Sequence, residues 1–195
     1  MDDKIISFVF FNDFVNIYKN YYMNLPINWC EISLRNICEV KGGKRIPAGE
    51  KFELSPTKYK YLRVTDMKNG GIIGCTYISE KIYRLIKNYT ISKEDIYITV
   101  AGTIGNIGEI PSEYDGSNLT ENADKLILNK NINKSWFIKF LKSETCQKQI
   151  KESVTKVGQP KLAIKRIEEI KINLPPYSEQ VRISNLVDQL FKCID

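Results

Sequence analysis

Leu174-Pro175-Pro176, running on into Tyr177-Ser178-Glu179-Gln180, constrains this chain more than any other stretch. Two consecutive prolines fix their own φ, supply no amide donors and push the preceding residue out of the helical region, so Leu174 must leave any helix or central strand extended. Ser178 is placed to cap a helix, and Glu179 in the first turn suits the positive end of the helix dipole. Ile183, Leu186, Leu190 and Cys193 then recur at heptad a and d spacing, with Val187, Phe191 and Ile194 widening the stripe. The spacing predicts a body that ends near residue 174 and, over 175–195, a turn and a helix. The face of that helix carrying Ile183, Leu186 and Leu190 seeks another protein chain.

Upstream, residues 24–174 read as one α+β body, strand-rich with several short helices. Between Glu31 and Leu128 short strands alternate with Gly, Pro, Asn and Asp punctuation. Candidates are Tyr59–Thr65, Cys75–Ile78, Asp95–Val100, Ile107–Ile110 and Lys125–Leu128. In Asp95–Val100, Ile96, Ile98 and Val100 alternate with Tyr97 and Thr99, as in a strand with one buried face. Ser79 is a cap for a short helix carrying Ile82 and Ile86. Helical spacing dominates later, with Trp136, Phe137, Phe140 and Leu141 on one face, Ile150 and Val154 beyond Ser143, and a short helix over Leu162–Ile167 before a strand at Ile170–Asn173. Residues 1–23 form an aromatic prefix, readable as helix or strand, with no assigned role.

Charge is informative by position. Eight basic residues against three acidic ones lie between Lys41 and Lys68, and six against three between Lys151 and Ile172; these blocks more than account for the formal charge of +6. Clustered cations are the footprint of a polyanionic partner, or else a solvated lysine-rich face. Histidine is absent and the five cysteines include no Cys-x-x-Cys pair, which argues against zinc ligation and histidine acid–base catalysis. Dispersed cysteines and no secretory leader or membrane span suggest reduced thiols in a cytoplasmic protein.

Several local patterns compete for the chemistry. Asn173-Leu174-Pro175-Pro176-Tyr177 nearly spells the Asn-Pro-Pro-Tyr loop of amino-methyltransferases, but Leu174 stands where the asparagine carbonyl must reach the target amine. No strand leads into a glycine-rich loop able to hold S-adenosylmethionine, so no cofactor is expected. Gly102, Gly105 and Gly108 match neither a dinucleotide fingerprint nor a phosphate loop; tight hairpin geometry explains them better than a GxxG RNA clamp. A small metal-dependent nuclease is the alternative enzymatic reading, with Glu169–Lys171 or Glu39–Lys41 as the Glu-x-Lys triplet and Asp124 or Asp115 upstream. An RNA-binding or scaffolding module is a third.

The residues suited to duplex DNA are Lys44 and Arg45 in Gly42-Gly43-Lys44-Arg45-Ile46-Pro47, Arg63, and Lys156, Gln159 and Lys161 around Gly158. Glycines let backbone amides and cations approach phosphates closely, and Gln159 is a side chain able to pair with an adenine edge. Arg63 suits a guanine or a phosphate, or an ion pair with Asp66.

Taken in order, "LPINW", "GGKRIP", "YKYLRVTDM", "DIYITVAGTIGNIGEIP", "ENADKLIL", "VGQPKL" and "INLPPYSEQVRI" resemble a target-recognition domain of the specificity subunit of type I restriction-modification systems, over about Asn24 to Asp195. The resemblance implies a non-catalytic reader of double-stranded DNA whose helices set spacing and dock methyltransferase (modification) subunits, with a restriction motor subunit completing the complex. Those partners carry the catalytic loop and the S-adenosylmethionine. One recognition domain stands here where the family usually has two. A helix from Glu179 would run about 25 Å, short of the roughly 34 Å between half-sites one DNA turn apart. Pairing with a second copy or a second specificity half, truncation, and excision from a longer chain are the readings this leaves open.

Overall fold

The computed structural model describes Pro26, residues 28–155 and residues 158–193; the aromatic prefix and Lys156 lie outside the described residues. The first half contains β1 (Cys30–Ser33), β2 (Cys38–Gly42), β3 (Lys60–Leu62), β4 (Met67–Lys68), β5 (Gly71–Ile72), β6 (Thr76–Tyr77), α1 (Glu80–Ile86), β7 (Thr90–Ile91) and β8 (Ile96–Thr99). There follow β9 (Ile107–Glu109), β10 (Ser117–Leu119), β11 (Ala123–Leu128), α2 (Lys134–Lys142), α3 (Glu144–Ser153), α4 (Ile164–Glu168), β12 (Lys171–Leu174) and α5 (Tyr177–Lys192). The architecture is the α+β type expected from the sequence.

Two four-stranded sheets carry the body. The central one, in the order β2-β11-β8-β9, is antiparallel throughout, with Asp124 opposite both Gly42 and Ile98. The other runs β6-β3-β10-β7, its β3–β10 pair being parallel. One face of the central sheet packs on the helices: Ile98, Leu126, Trp136, Phe137, Leu141 and Ile167 belong to one buried cluster. The opposite face offers Tyr97 and Ala123, which pack with Leu62, Ile91 and Leu119 of the second sheet.

That second contact corrects the expectation for β8. All four of its residues are buried, because the strand is sandwiched on both faces, and Tyr97 satisfies its hydroxyl by donating to the Gly71 carbonyl at 3.1 Å. The strand expected over Tyr59–Thr65 is also shorter. It stops at Leu62, where Asp66 accepts from the Arg63 amide at 2.9 Å and closes a 3-10 turn.

Local chemistry sets the helix starts. Ser79, Asn133 and Ser143 each accept from an amide in the following turn, at 3.3, 2.9 and 3.4 Å, and so begin α1, α2 and α3. The glycines of the Ala101–Gly108 stretch serve a β8–β9 hairpin, with Gly102 and Gly105 at φ +77° and +86°. Cys38 and Cys146 are buried free thiols, their pKa values pushed up to about 12 by burial, which makes them inert packing.

At the exit, β12 pairs with β1, Leu174 facing Cys30, so the double proline leaves the body beside the point where the body begins. The helix starts two residues earlier than its sequence suggested. Pro176, not Ser178, is the N-cap residue, and no side chain caps it. Gln180 anchors the turn instead: it is 1% exposed, donates to the Pro175 carbonyl at 2.9 Å and accepts from the Asn133 amide at 2.8 Å. Gln180→Leu removes both bonds and strands a buried amide and carbonyl. It should cost about 2 kcal/mol in denaturant titration, while Gln149→Leu at the surface costs less.

Candidate nucleic-acid interface

Strand direction decides where the loops gather. In the antiparallel order β2-β11-β8, the C-terminal end of β2, the N-terminal end of β11 and the C-terminal end of β8 lie at one edge of the central sheet. The Leu119–Asp124 segment forms the middle of this rim, and four other segments are hydrogen-bonded to it or to one another. The Lys44 amide donates to the Leu119 carbonyl at 2.8 Å and the Gly43 amide to Ala123 at 3.1 Å. Thr120 donates to Leu62, which precedes Arg63, at 3.1 Å; Val100 donates to Asn122 at 2.8 Å; Leu162, following Lys161, donates to Val100 at 2.9 Å.

The two basic blocks, about a hundred residues apart in sequence, thereby meet. Lys44, Arg45, Arg63, Gln159 and Lys161 all sit on this rim and all are exposed. Gln159 and Lys161 belong to an excursion tied at its base by Thr155, whose hydroxyl accepts from the Lys161 amide at 3.2 Å and donates to its carbonyl at 3.2 Å. The position of Lys156 lies outside the described residues.

The cations are not equivalent. Arg45, with a side chain 74% exposed, meets Glu121 at 2.6 Å. Burial pushes the Glu121 carboxyl up, but hydrogen bonds from Arg45, its own amide and Thr120, with the Arg45 charge, together outweigh it and the net shift is downward. Of the roles the sequence allowed for Arg63, the structure shows the ion pair: its Nε and one terminal nitrogen donate to Asp66 at 3.1 and 2.9 Å, which occupies two of five guanidinium donors. Lys44 lies over the Tyr89 ring, 5.6 Å from its centre, and its carbonyl accepts from the Tyr61 hydroxyl at 2.9 Å.

The glycine pair before Lys44 acts differently from the sequence expectation. The amides of Gly43 and Lys44 are consumed by the rim and are not free for phosphates; only the side chains are. Gly43 is required by close approach, since a Cβ there would lie 2.0 Å from the Thr120 carbonyl oxygen and 2.5 Å from that of Leu119.

Sequence reasoning missed Glu121 and Tyr89, which reach the rim from other elements. It weighed Asp124 only as a nuclease acid. Asp124 is 4% exposed and lies over Gly42, and its pKa is raised to about 6 by burial, offset in part by the Lys161 ammonium. The signal was available: Asp124 shares a β11 face with Leu126 and Leu128, where a core row calls for an apolar residue. The nuclease acids do not assemble. Glu169 is engaged by Arg166 at 3.3 Å and Arg35 at 3.8 Å, Asp115 accepts from the Lys93 amide at 2.8 Å, and no group of three potential metal ligands occurs among the described residues.

On α5 the stripe divides. Ile183 packs on the main core and Val187 is buried, whereas Leu190 and Phe191 are 44% and 40% exposed and Leu186 is half-buried. Ile183 is therefore largely used within the chain, and the face left for a partner lies in the second half of the helix. No helix among the described residues is long and apolar enough to cross a membrane.

A basic rim of loops on an antiparallel sheet, with a proline-started helix leaving beside the β1–β12 pair, defines an α+β module with one cationic loop surface. The chain belongs to the type I restriction modification DNA specificity domain family, whose match covers residues 26–195. It is 25% identical over 179 residues to the type I restriction enzyme EcoBI specificity subunit of Escherichia coli, covering 90% of this chain and 38% of that protein. It is 29% identical over 189 residues to the putative type I specificity subunit S.MpnORF285P of Mycoplasma pneumoniae, covering 93% and 55%. The fold is similar to that of the HsdS subunit from Thermoanaerobacter tengcongensis, with a TM-score of 0.68 and 17% identity over 88% of this chain and 39% of that one. The chain thus spans less than two thirds of the length of these relatives.

Proposed function

We propose that this chain is a non-catalytic, sequence-specific reader of double-stranded DNA in a type I restriction-modification complex. In this reading, residues 24–174 are the recognition unit that grips one half of a target and residues 175–195 are the start of a spacer. It directs methyltransferase subunits, and through them the restriction motor, to that target in the cytoplasm. The carrying observation is the meeting of two distant basic blocks around Leu119–Asp124. One strand-end rim bearing Lys44, Arg45, Arg63 and Lys161 is a surface on which phosphates position a duplex and Gln159 meets base edges.

Counterion release tests it. If these four cations each neutralise a phosphate, the log–log slope of duplex affinity against salt is about -4, and each replacement by Ala flattens it by about 0.9. Arg45 and Arg63 already share their charge with Glu121 and Asp66, so their replacement lowers affinity less than that of Lys44. A slope near zero would sink the reading.

The end of α5 supplies the assembly surface, for methyltransferase subunits and for a second copy or second specificity half. Replacing Leu186 and Leu190 together by Asp should abolish co-sedimentation with a methyltransferase subunit while the melting of the body stays intact. Assembly that persists would remove the helix from the interface.

A further inference from the structure

Asp124 stands out once the rim is assembled. It is a carboxylate more than nine-tenths buried, at the end of an otherwise apolar row, and among the described residues no hydrogen bond reaches it. The fully enclosed side-chain atoms without a partner among the described residues are Ser117 Oγ and Asn118 Oδ1, so the Asp124 oxygens keep an opening at the rim through which a donor from outside can reach them. The side chain lies over Gly42, its Oδ1 3.4 Å from where a Cβ of Gly42 would be, and Ile164 closes the other side of that position at 3.7 Å. Its strand neighbours across the sheet, Gly42 and Ile98, carry no charge. Lys161, on the loop leading to α4, is the charged group acting on it.

We propose that Asp124 is a specificity-determining residue: when DNA docks and Lys161 meets a phosphate, the Asp124 carboxylate accepts a hydrogen bond from the exocyclic amino group of one cytosine or adenine in the major groove. This rests on the DNA-reading function proposed above. A carboxylate is matched to that donor, since it has only acceptors to offer at neutral pH and meets only acceptors on guanine O6 and N7 or thymine O4. Its own repulsion of phosphates is what Lys161 offsets in the unbound chain.

The test is selection from a pool of random duplexes with the full chain in its purified assembly at pH 7.5, using wild type, Asp124→Ala and the near-isosteric Asp124→Asn. Wild type should enrich a C·G or A·T pair at one position that Asp124→Ala no longer discriminates, a loss of about 5- to 150-fold there, with preference elsewhere unchanged. Asp124→Asn, which adds a donor, should alter the preferred pair at the same position and folds even if the alanine variant does not. Placing 2-pyrimidinone for cytosine, or unsubstituted purine for adenine, at that position should weaken wild type and leave Asp124→Ala indifferent; which substitution acts identifies the base. Wild-type preference at that position should fade from pH 7.5 to 5.5 as the carboxylate takes up a proton, and that of Asp124→Asn should not. Identical selected sites for all three proteins, or uniform weakening on every duplex, would overturn the proposal. Absence of duplex binding by wild type would instead overturn the DNA-reading function itself.

Discussion

Asp124→Asn makes the protein more stable at neutral pH. The Asp124 carboxyl titrates near 3.8 when unfolded and near 6 when folded, because burial disfavours its charged form. Between those values the folded chain binds the proton and the unfolded chain releases it, so its contribution to stability falls as pH rises through the window and is fully lost above about pH 6. The gap corresponds to about 3 kcal/mol, of which an uncharged amide with the same shape recovers about 2 kcal/mol after its own desolvation is counted. For a chain of this size that is a rise of about 4–8 °C in melting temperature. The advantage over wild type should be largest at pH 7.5, shrink as the buffer is taken below pH 6 and vanish near pH 3.8. Paired melting curves across that range measure the difference directly and cancel the carboxylates, such as Glu80 and Glu179, whose arginine partners hold them low. A variant no more stable than wild type at pH 7.5 would mean that the carboxylate finds a donor in the free protein. A residue that costs stability where the surface is proposed to read DNA is the expected signature of function held against folding.

Gly43→Ala has the opposite effect and a comparable size. A methyl group 2.0 and 2.5 Å from two backbone oxygens cannot be accommodated by a rotamer change, so the end of β2 must lift away from Leu119–Thr120. That movement breaks the bonds from Gly43 to Ala123 and from Lys44 to Leu119. Two backbone hydrogen bonds at about 1 kcal/mol each, with about 1–2 kcal/mol of packing strain, put the loss near 3–4 kcal/mol. Because Lys44 and Arg45 are carried on the displaced segment, duplex affinity falls too. Gly74→Ala is the control: nothing lies within 4 Å of its Cβ position and its φ is not in the left-handed region, so its stability should stay within about 0.5 kcal/mol of wild type. Equal melting of the Gly43 and Gly74 variants would show that β2 does not approach the rim this closely.

Much of this was legible without coordinates. Ser79 advertises a helix start through chemistry that acts within four residues; Asn133 and Ser143 cap in the same way, but sequence reasoning missed them as caps. The double proline enforces an extended exit whatever surrounds it, and Ile96–Val100 alternates because a strand does. The errors share a cause. Ser178 lost the N-cap to Pro176 because Gln180 fixes the turn through Asn133, a residue 47 positions away. Tyr97 is buried because a second sheet, built from strands of two and three residues, covers the other face of β8. Arg63 was legible as an alternative, since its partner Asp66 is three residues on, but Arg45 gave no sign of Glu121, 76 residues distant.

What the sequence determined alone is therefore everything set by covalent restraint and by periodicity within a few turns: strand-rich body, proline-stiffened exit, amphipathic final helix, and two cationic blocks of separate location. Tertiary structure decided which of those pieces share a surface. Antiparallel pairing put the end of β2 beside the start of β11, the bond from Leu162 to Val100 delivered the second block to the same rim, and the packing of α4 over Gly42 enclosed Asp124. Such outcomes depend on strand order and direction, which arise from burial summed over the whole chain and leave no mark in any short stretch of it.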